Sequence, residues 1–206
     1  MSLKERATYP LAPSGIFWSH QGEGHLRGFG MVFLRLATCS VGCAGCDTDY
    51  SVAEKLDPVQ IAIRVMRELP RTVVDRWVWV TGGEPADFDL RPLLSELRKY
   101  PISIAVATSG HKRVIPPVDW LSVTPHDLSK QRQRYGNEVK IVDQLDHNLD
   151  DFNGEPDVGG FMYRYVQPLS VDGKEDPESL ERCKRFLQRF PHWALSRQDH
   201  VHWGLA

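Results

Sequence analysis

The chain has 206 residues, of which 41% are hydrophobic and 25% charged, with a net charge of −2. That is enough apolar material for one substantial core, too much for wholesale disorder, and no basic excess that would point to nucleic acid as the main partner. No apolar run approaches the length of a membrane span, and the opening Met1-Ser-Leu-Lys-Glu-Arg lacks the apolar centre of a signal peptide, so no membrane association and a cytoplasmic location are expected.

Taken in chain order, the first strand is expected over Met31–Ala37, apolar except for Arg35. Asp57-Pro58 reads as an N-cap followed by proline in the first helical position. Val59, Ala62, Ile63, Met66 and Leu69 follow at helical spacing, and the helix closes at Pro70. Trp77–Thr81 reads as a short buried strand. Asp89 is expected to cap a second helix whose apolar face is Leu90, Leu93, Leu94 and Leu97. Ile102–Ala107, Trp120–Thr124, Glu138–Val142 and Phe161–Val166 read as four more strands. Asp176-Pro177 caps a last helix with Leu180, Cys183, Phe186, Leu187 and Phe190 on one face, where Cys183 is expected to be buried and inert. The tail around Trp193–Leu195 reads as one further strand, and Asp143–Gly160, rich in Asp, Asn and Gly, as the least regular stretch.

Apolar strands separated by helices predict a parallel sheet covered by helices. With about six good strands and few helices, fewer than the eight repeats of a full barrel, the pattern predicts an α/β fold of the abbreviated, open (partial) TIM type in a single domain spanning 1–206. Chemistry in such folds collects on the loops after the carboxyl ends of strands. The unusual residues fall there: the cysteine loop after the first strand, Gly82-Gly83-Glu84-Pro85 after the second, Thr108-Ser109-Gly110 after the third, Thr124-Pro125-His126 after the fourth and Gln167-Pro168 after the sixth.

Three of the four cysteines form Cys39-Ser-Val-Gly-Cys43-Ala-Gly-Cys46. Close thiols in a chain of this kind read as metal ligation in a reducing compartment and not as a disulfide framework. Three thiolates can hold three irons of a four-iron cluster and leave the fourth iron open to a ligand. A structural zinc would want a fourth protein ligand, which His20 or His25 could supply. An arginine within a buried strand is costly unless paired, so Arg35 reads either as a ligand-binding group or as half of a structural ion pair.

The cysteine spacing together with the Gly82-Gly83-Glu84-Pro85 strand end resembles the radical S-adenosylmethionine superfamily. Ile16-Phe-Trp-Ser-His-Gln21-Gly-Glu-Gly24 upstream, and Asp47-Thr48 after Cys46, narrow the resemblance to the 7-carboxy-7-deazaguanine synthase family, over most of the chain from about Ile16 to the tail. That resemblance implies a lyase that contracts the ring of 6-carboxy-5,6,7,8-tetrahydropterin to 7-carboxy-7-deazaguanine with loss of ammonia, in queuosine and 7-deazapurine biosynthesis. It implies three cofactors: a 4Fe-4S cluster, S-adenosylmethionine and Mg2+. It also implies a homodimer served by reduced flavodoxin or ferredoxin.

Carried over by position, the resemblance implies that Cys39, Cys43 and Cys46 hold the cluster and that Thr48 is a magnesium ligand. Gly45, Asp47, Gly83, Glu84, Thr124 and Gln167 would surround S-adenosylmethionine. His20, Gln21, Gly22, Arg35 and Thr81 would contact the pterin, Arg35 through its carboxylate, and residues 1–30 would form a substrate-binding N-terminal segment. No side chain need be a nucleophile. The chain departs from the family pattern at Gly15, where a glutamate is common, at His126, where a lysine often stands, and at Val201 after Gln198-Asp-His200. Two other functions fit parts of the sequence: a glycyl-radical activating enzyme, which shares the cysteine spacing but needs no Gln21-Gly-Glu-Gly24, and a non-enzymatic zinc- or cluster-binding module.

Overall fold

The computed structural model describes residues 7–43, 46, 49–114, 117–143, 148–151, 158–171 and 173–204, the side chain of His202 excepted. They form two compact units, the first from the described residues of Met1–Ser19, Gly30–Thr108 and Arg113–Trp120, the second from those of His20–Phe29, Ser109–Lys112 and Leu121–Ala206. No helix among the described residues is long and apolar enough to cross a membrane.

The first unit carries β1 (Tyr9–His20), β2 (Gly30–Leu36), β3 (Glu54–Leu56), α1 (Pro58–Glu68), β4 (Trp77–Gly82), α2 (Arg91–Leu97) and β5 (Ser103–Thr108). Its strands lie in the order β5-β4-β2-β1-β3, with β2, β4 and β5 parallel and β1 antiparallel to β3. Leu34, Leu36, Val78, Val80, Ile104 and Val106 are fully buried on alternate positions of the three parallel strands, the period that sends one set of side chains to a common core. Their neighbours Arg35 and Thr81 pair across β2 and β4 on the opposite face.

Asp57 caps α1 as expected: its carboxylate accepts from the Gln60 N–H, and the Gln60 side chain returns a bond to the Asp57 N–H. The apolar face of α1 is a correction. Ile61, Ala62, Val65 and Leu69 are buried, while Val59 and Ile63 are exposed. The helix carries apolar residues along two stripes, and packing against α2 and β2 selects the one spaced at 61, 65 and 69. Asp89 is a second correction. The cap position of α2 is Leu90, without a side-chain cap bond. Asp89 lies one residue earlier, bonding the Arg91 N–H and gripping its guanidinium at 2.8 and 2.7 Å.

The second unit carries β6 (Trp120–Val123), β7 (Tyr135–Val142), β8 (Gly160–Gln167), the short hairpin β9 (Ser170–Val171) and β10 (Lys174–Glu175), α3 (Pro177–Arg189), β11 (Ala194–Leu195) and α4 (Asp199–Trp203). Its main strands run in the order β11-β8-β7-β6, all parallel. Eleven strands among the described residues replace the expected six and a tail strand, the tail strand being found as β11. The largest addition is β1, whose Pro10 and Pro13 hid it: proline cannot donate to a ladder and argues against a strand in sequence. Here Pro10 contributes its carbonyl alone, accepting from the Ala37 N–H at 2.8 Å. The expected mostly parallel sheet with few helices is what the two units contain.

Part of the stretch expected to be irregular is anchored. Asp143, fully buried, accepts from Ser179 Oγ at 2.6 Å, Arg182 Nε at 2.8 Å and the Leu149 N–H at 3.1 Å. Beside it, Cys183 is fully buried, and burial, followed by the nearby Asp143 charge, pushes its thiol up to about 12. Native, cluster-free chain treated with iodoacetamide at pH 8 is therefore expected to leave Cys183 unmodified until denaturant is added. Peptide mass spectrometry that found Cys183 alkylated in the native chain would refute its place in this core.

Candidate functional site

In the first unit, parallel strands β2, β4 and β5 deliver their carboxyl ends to one edge, and three sequence motifs meet there. The turn after β4 folds back on the segment that leaves β2: the Gly83 N–H donates to the Leu36 carbonyl at 2.7 Å, and the Glu84 N–H to the Thr38 carbonyl at 3.2 Å. Gly82 has φ +103, and a Cβ on it would overlap Leu36 backbone. A Cβ on Gly83 would overlap the Thr38 carbonyl. Both glycines are needed because two backbones touch. Glu84 is 2% exposed, and its carboxylate accepts from Thr108 Oγ1 at 2.6 Å and the Ala86 N–H at 2.9 Å. Thr108, from the end of β5, therefore braces the turn.

The loop seated on this turn carries Cys39 and Cys43, both partly exposed, and exposed Cys46. Burial and the charges of Cys46, Cys39 and Glu84 push the Cys43 thiol up to about 11. Cys43 thus senses its two neighbours and resists ionisation until a cation neutralises the group. Among the described residues no three His, Cys, Asp or Glu side chains are gathered tightly enough to hold a single ion. Three soft sulfur donors sharing one loop are a donor set that suits an iron–sulfur cluster. Gly45, Asp47 and Thr48 lie outside the described residues.

On the other face of β2, Arg35 pairs in register with Thr81 of β4. Its guanidinium lies 4.8 Å from the centre of the Phe17 ring and donates to Ser14 Oγ at 3.1 Å, and Phe17 stacks on Phe33 at 5.4 Å. A half-buried cation laid over an aromatic face keeps its flat fork presented.

In the second unit, the Gln21-Gly-Glu-Gly24 segment is the lip of a closed loop. The Gln21 N–H donates to the Phe29 carbonyl at 2.9 Å, and the Gln21 carbonyl accepts from the Gly28 N–H at 2.7 Å. Gln21 is buried, and its side-chain oxygen accepts from the Glu23 N–H at 3.1 Å. Glu23 forms an ion pair with Lys140 of β7 and accepts from Gln167 Nε2 at 3.2 Å. Gln167, at the end of β8, in turn accepts from Ser196 Oγ at 2.8 Å, and that same hydroxyl accepts from the Gly24 N–H at 3.0 Å. Glu138, 2% exposed, accepts from the His25 N–H at 2.8 Å. The His25 ring stacks on Tyr163, with Nδ1 3.2 Å from the Tyr165 hydroxyl. Burial, then the Glu138 charge, raises the Tyr165 phenol.

The tail docks on the same loop. The Asp199 N–H donates to the Gly22 carbonyl at 3.1 Å, Asp199 pairs with Arg27 at 2.8 Å, and a Cβ on Gly22 would overlap the His200 ring. Gln21, Gly22 and Gln167 are therefore gathered around a buried polar network, in the unit that also holds His20. Thr124, half-buried, follows β6 in that unit. Sequence reasoning missed Glu138, Lys140 and Ser196. The available signal was two charged residues at alternate positions of an otherwise apolar strand, which places both on one face.

No protein-family model matches the chain. It is 31% identical over 196 residues to the 7-carboxy-7-deazaguanine synthase of Haemophilus influenzae, covering 90% of this chain and 89% of that one. It is 28% identical over 202 residues to the enzyme of the same name from Synechocystis, covering 96% and 94%. Among solved structures it resembles the crystal structure of QueE from Escherichia coli with a TM-score of 0.67 and 25% identity, over 93% of this chain and 94% of that one.

Burial pushes the Lys140 ammonium down to about 7, and the Glu23 carboxylate against it works in the opposite direction. Lys140→Met is expected to cost roughly 3 kcal/mol of stability, because it strands that carboxylate in a poorly solvated place. Glu23→Gln combined with Lys140→Met should recover most of the loss in urea denaturation. Equal stability of the single and double variants would show that the two side chains are not coupled.

Proposed function

The chain belongs to the 7-carboxy-7-deazaguanine synthase family, and on that premise we propose the division of labour among its residues. The enzyme is a radical S-adenosylmethionine lyase of queuosine biosynthesis. The reaction we assign is conversion of 6-carboxy-5,6,7,8-tetrahydropterin into 7-carboxy-7-deazaguanine with loss of ammonia. The abbreviated, open barrel of that superfamily and the reading of 1–206 as one domain, with 1–30 as its substrate-binding segment, belong to the same proposal. The observation that carries it is the three-cysteine loop seated by the Gly83-Glu84 turn on the carboxyl edge of parallel strands.

When bound, a 4Fe-4S cluster with S-adenosylmethionine supplies the electron and the hydrogen-abstracting chemistry. Cys39, Cys43 and Cys46 hold the cluster by three thiolates. Gly45, Asp47, Gly83, Glu84, Thr124 and Gln167 surround S-adenosylmethionine. Glu84 and Gln167 are both fixed by buried hydrogen bonds, so they offer preset edges and not mobile arms. His20, Gln21 and Gly22 receive the pterin, on a loop whose own donors and acceptors are already committed to holding its shape. Arg35 takes the substrate carboxylate in its planar fork, and Thr81 beside it adds a hydroxyl. Thr48 binds Mg2+ with oxygen ligands from substrate and water. A reduced flavodoxin or ferredoxin delivers the electron, the chain works as a homodimer, and its thiols are kept reduced in the cytoplasm.

The test is anaerobic turnover of the reconstituted, reduced protein with S-adenosylmethionine, Mg2+ and 6-carboxytetrahydropterin, read by mass spectrometry. 7-Carboxy-7-deazaguanine is the expected product. Arg35→Ala should lower kcat/KM by about 30-fold, the worth of roughly 2 kcal/mol of charge-assisted bonding, and Thr48→Val should weaken the dependence on Mg2+. Release of 5′-deoxyadenosine without product would move the substrate elsewhere, towards an activating enzyme. A zinc-bearing protein that cleaves nothing would overturn the radical chemistry.

A further inference from the structure

The start of the cysteine loop is held by a residue that none of the motifs assigns. Asp87 closes the short 3-10 turn Pro85–Asp87 that follows Glu84. Its carboxylate takes both donors of Ser40: the backbone N–H at 2.8 Å on Oδ2 and the hydroxyl at 2.7 Å on Oδ1. Ser40 is the residue next to Cys39. On the other side of Cys39, Thr38 has φ +67, a left-handed conformation that a β-branched residue rarely adopts. It is kept there by the Thr38 N–H donating to the Tyr50 carbonyl at 2.8 Å and by its carbonyl accepting from Glu84. Cys39 is thus flanked by two residues whose conformations are imposed from outside the loop.

We propose that Asp87 is a positioning residue for the cluster: its two-pronged grip on Ser40 fixes the direction in which the Cys39 sulfur leaves the backbone. The grip has an electronic consequence as well. Hydrogen bonds to cluster sulfurs and nearby charge both tune the reduction potential. Asp87 commits both donors of Ser40, the residue next to Cys39, to a carboxylate and places a negative charge beside the loop, and both effects disfavour the reduced cluster. Partners of this kind, which orient a metal ligand without touching the metal, commonly govern affinity about as strongly as a weak ligand does. The inference rests on the reading of Cys39, Cys43 and Cys46 as cluster ligands.

The experiment compares the full chain with Asp87→Ala, Asp87→Asn, Ser40→Ala and the double variant Asp87→Ala with Ser40→Ala, all reconstituted anaerobically. Two quantities are read: the rate of iron loss to a chelator, and the potential of the cluster by redox titration followed by electron paramagnetic resonance. Asp87→Ala should lose iron about tenfold faster than wild type. The double variant should lose it no faster still, because both changes break one contact. Asp87→Asn keeps the shape and removes the charge, so it should retain iron and titrate at a higher potential. That shift is one a merely structural residue would not produce. Wild-type iron retention in Asp87→Ala, or an unchanged potential in Asp87→Asn, would overturn this inference and leave the cluster reading standing. A wild-type chain that takes up no cluster would overturn both.

Discussion

The contact on which the first unit depends is backbone against backbone: the Gly82-Gly83-Glu84 turn laid on Leu36–Thr38. It prolongs the pairing of β2 and β4 beyond their last ladder residues, with bonds at 2.7 and 3.2 Å. A side chain on either glycine would drive the two segments apart. Because the cysteine loop begins where this contact ends, the loop inherits its direction from the sheet. The conformation forced on Thr38 costs of order 1–3 kcal/mol. It persists because bonds from Glu84 and Tyr50 over-determine it. The paired glycines therefore serve first to bring two backbones together, and any contact they make with a ligand is built on that.

The second unit solves a different problem. It holds a glycine-rich segment in one shape by burying charge beside it. Glu138 and Lys140 project from alternate positions of β7 and take, respectively, the His25 N–H and the Glu23 carboxylate. Buried charges are costly singly, and here each meets a charge or donors of the loop. Ser196 and Gln167 extend the network, so that Gln21–Gly24 is tied to β7, β8 and the stretch after β11 at once. A loop with two glycines would otherwise sample many conformations, and a network of this kind lowers the ordering cost of binding before any ligand arrives.

Much of this was legible in the sequence, for reasons that differ by element. The strands from Met31, Trp77, Ile102 and Trp120 were readable because they are apolar and short, and the Asp57 and Asp176 caps because their chemistry is local. Strand β1 was not, since its prolines speak against a ladder, and Pro10 joins this one through its carbonyl alone. The buried face of α1 was misread because two apolar stripes compete on one helix, and only its packing partners α2 and β2 decide between them. In the site, the cysteines, glycines and Gln21 announce themselves by type and spacing. Glu138 and Lys140 show only that they share a face, and Ser196 and Asp87 not even that, because their roles come from partners distant in sequence: 113 residues separate Glu138 from His25 and 47 separate Asp87 from Ser40.

Arg35 shows how a structural and a functional reading of one residue can be reconciled. A strand flanked by buried leucines should exclude a guanidinium unless something compensates it. Part of the compensation at this site is uncharged: the Phe17 face and the Ser14 hydroxyl both support the cation, and it remains partly exposed. An aromatic platform stabilises a cation by about 0.5–1 kcal/mol at such sites. These two contacts hold the guanidinium in a defined place on the strand without either being an ion pair, so one residue meets a structural demand and still suits the role proposed for it.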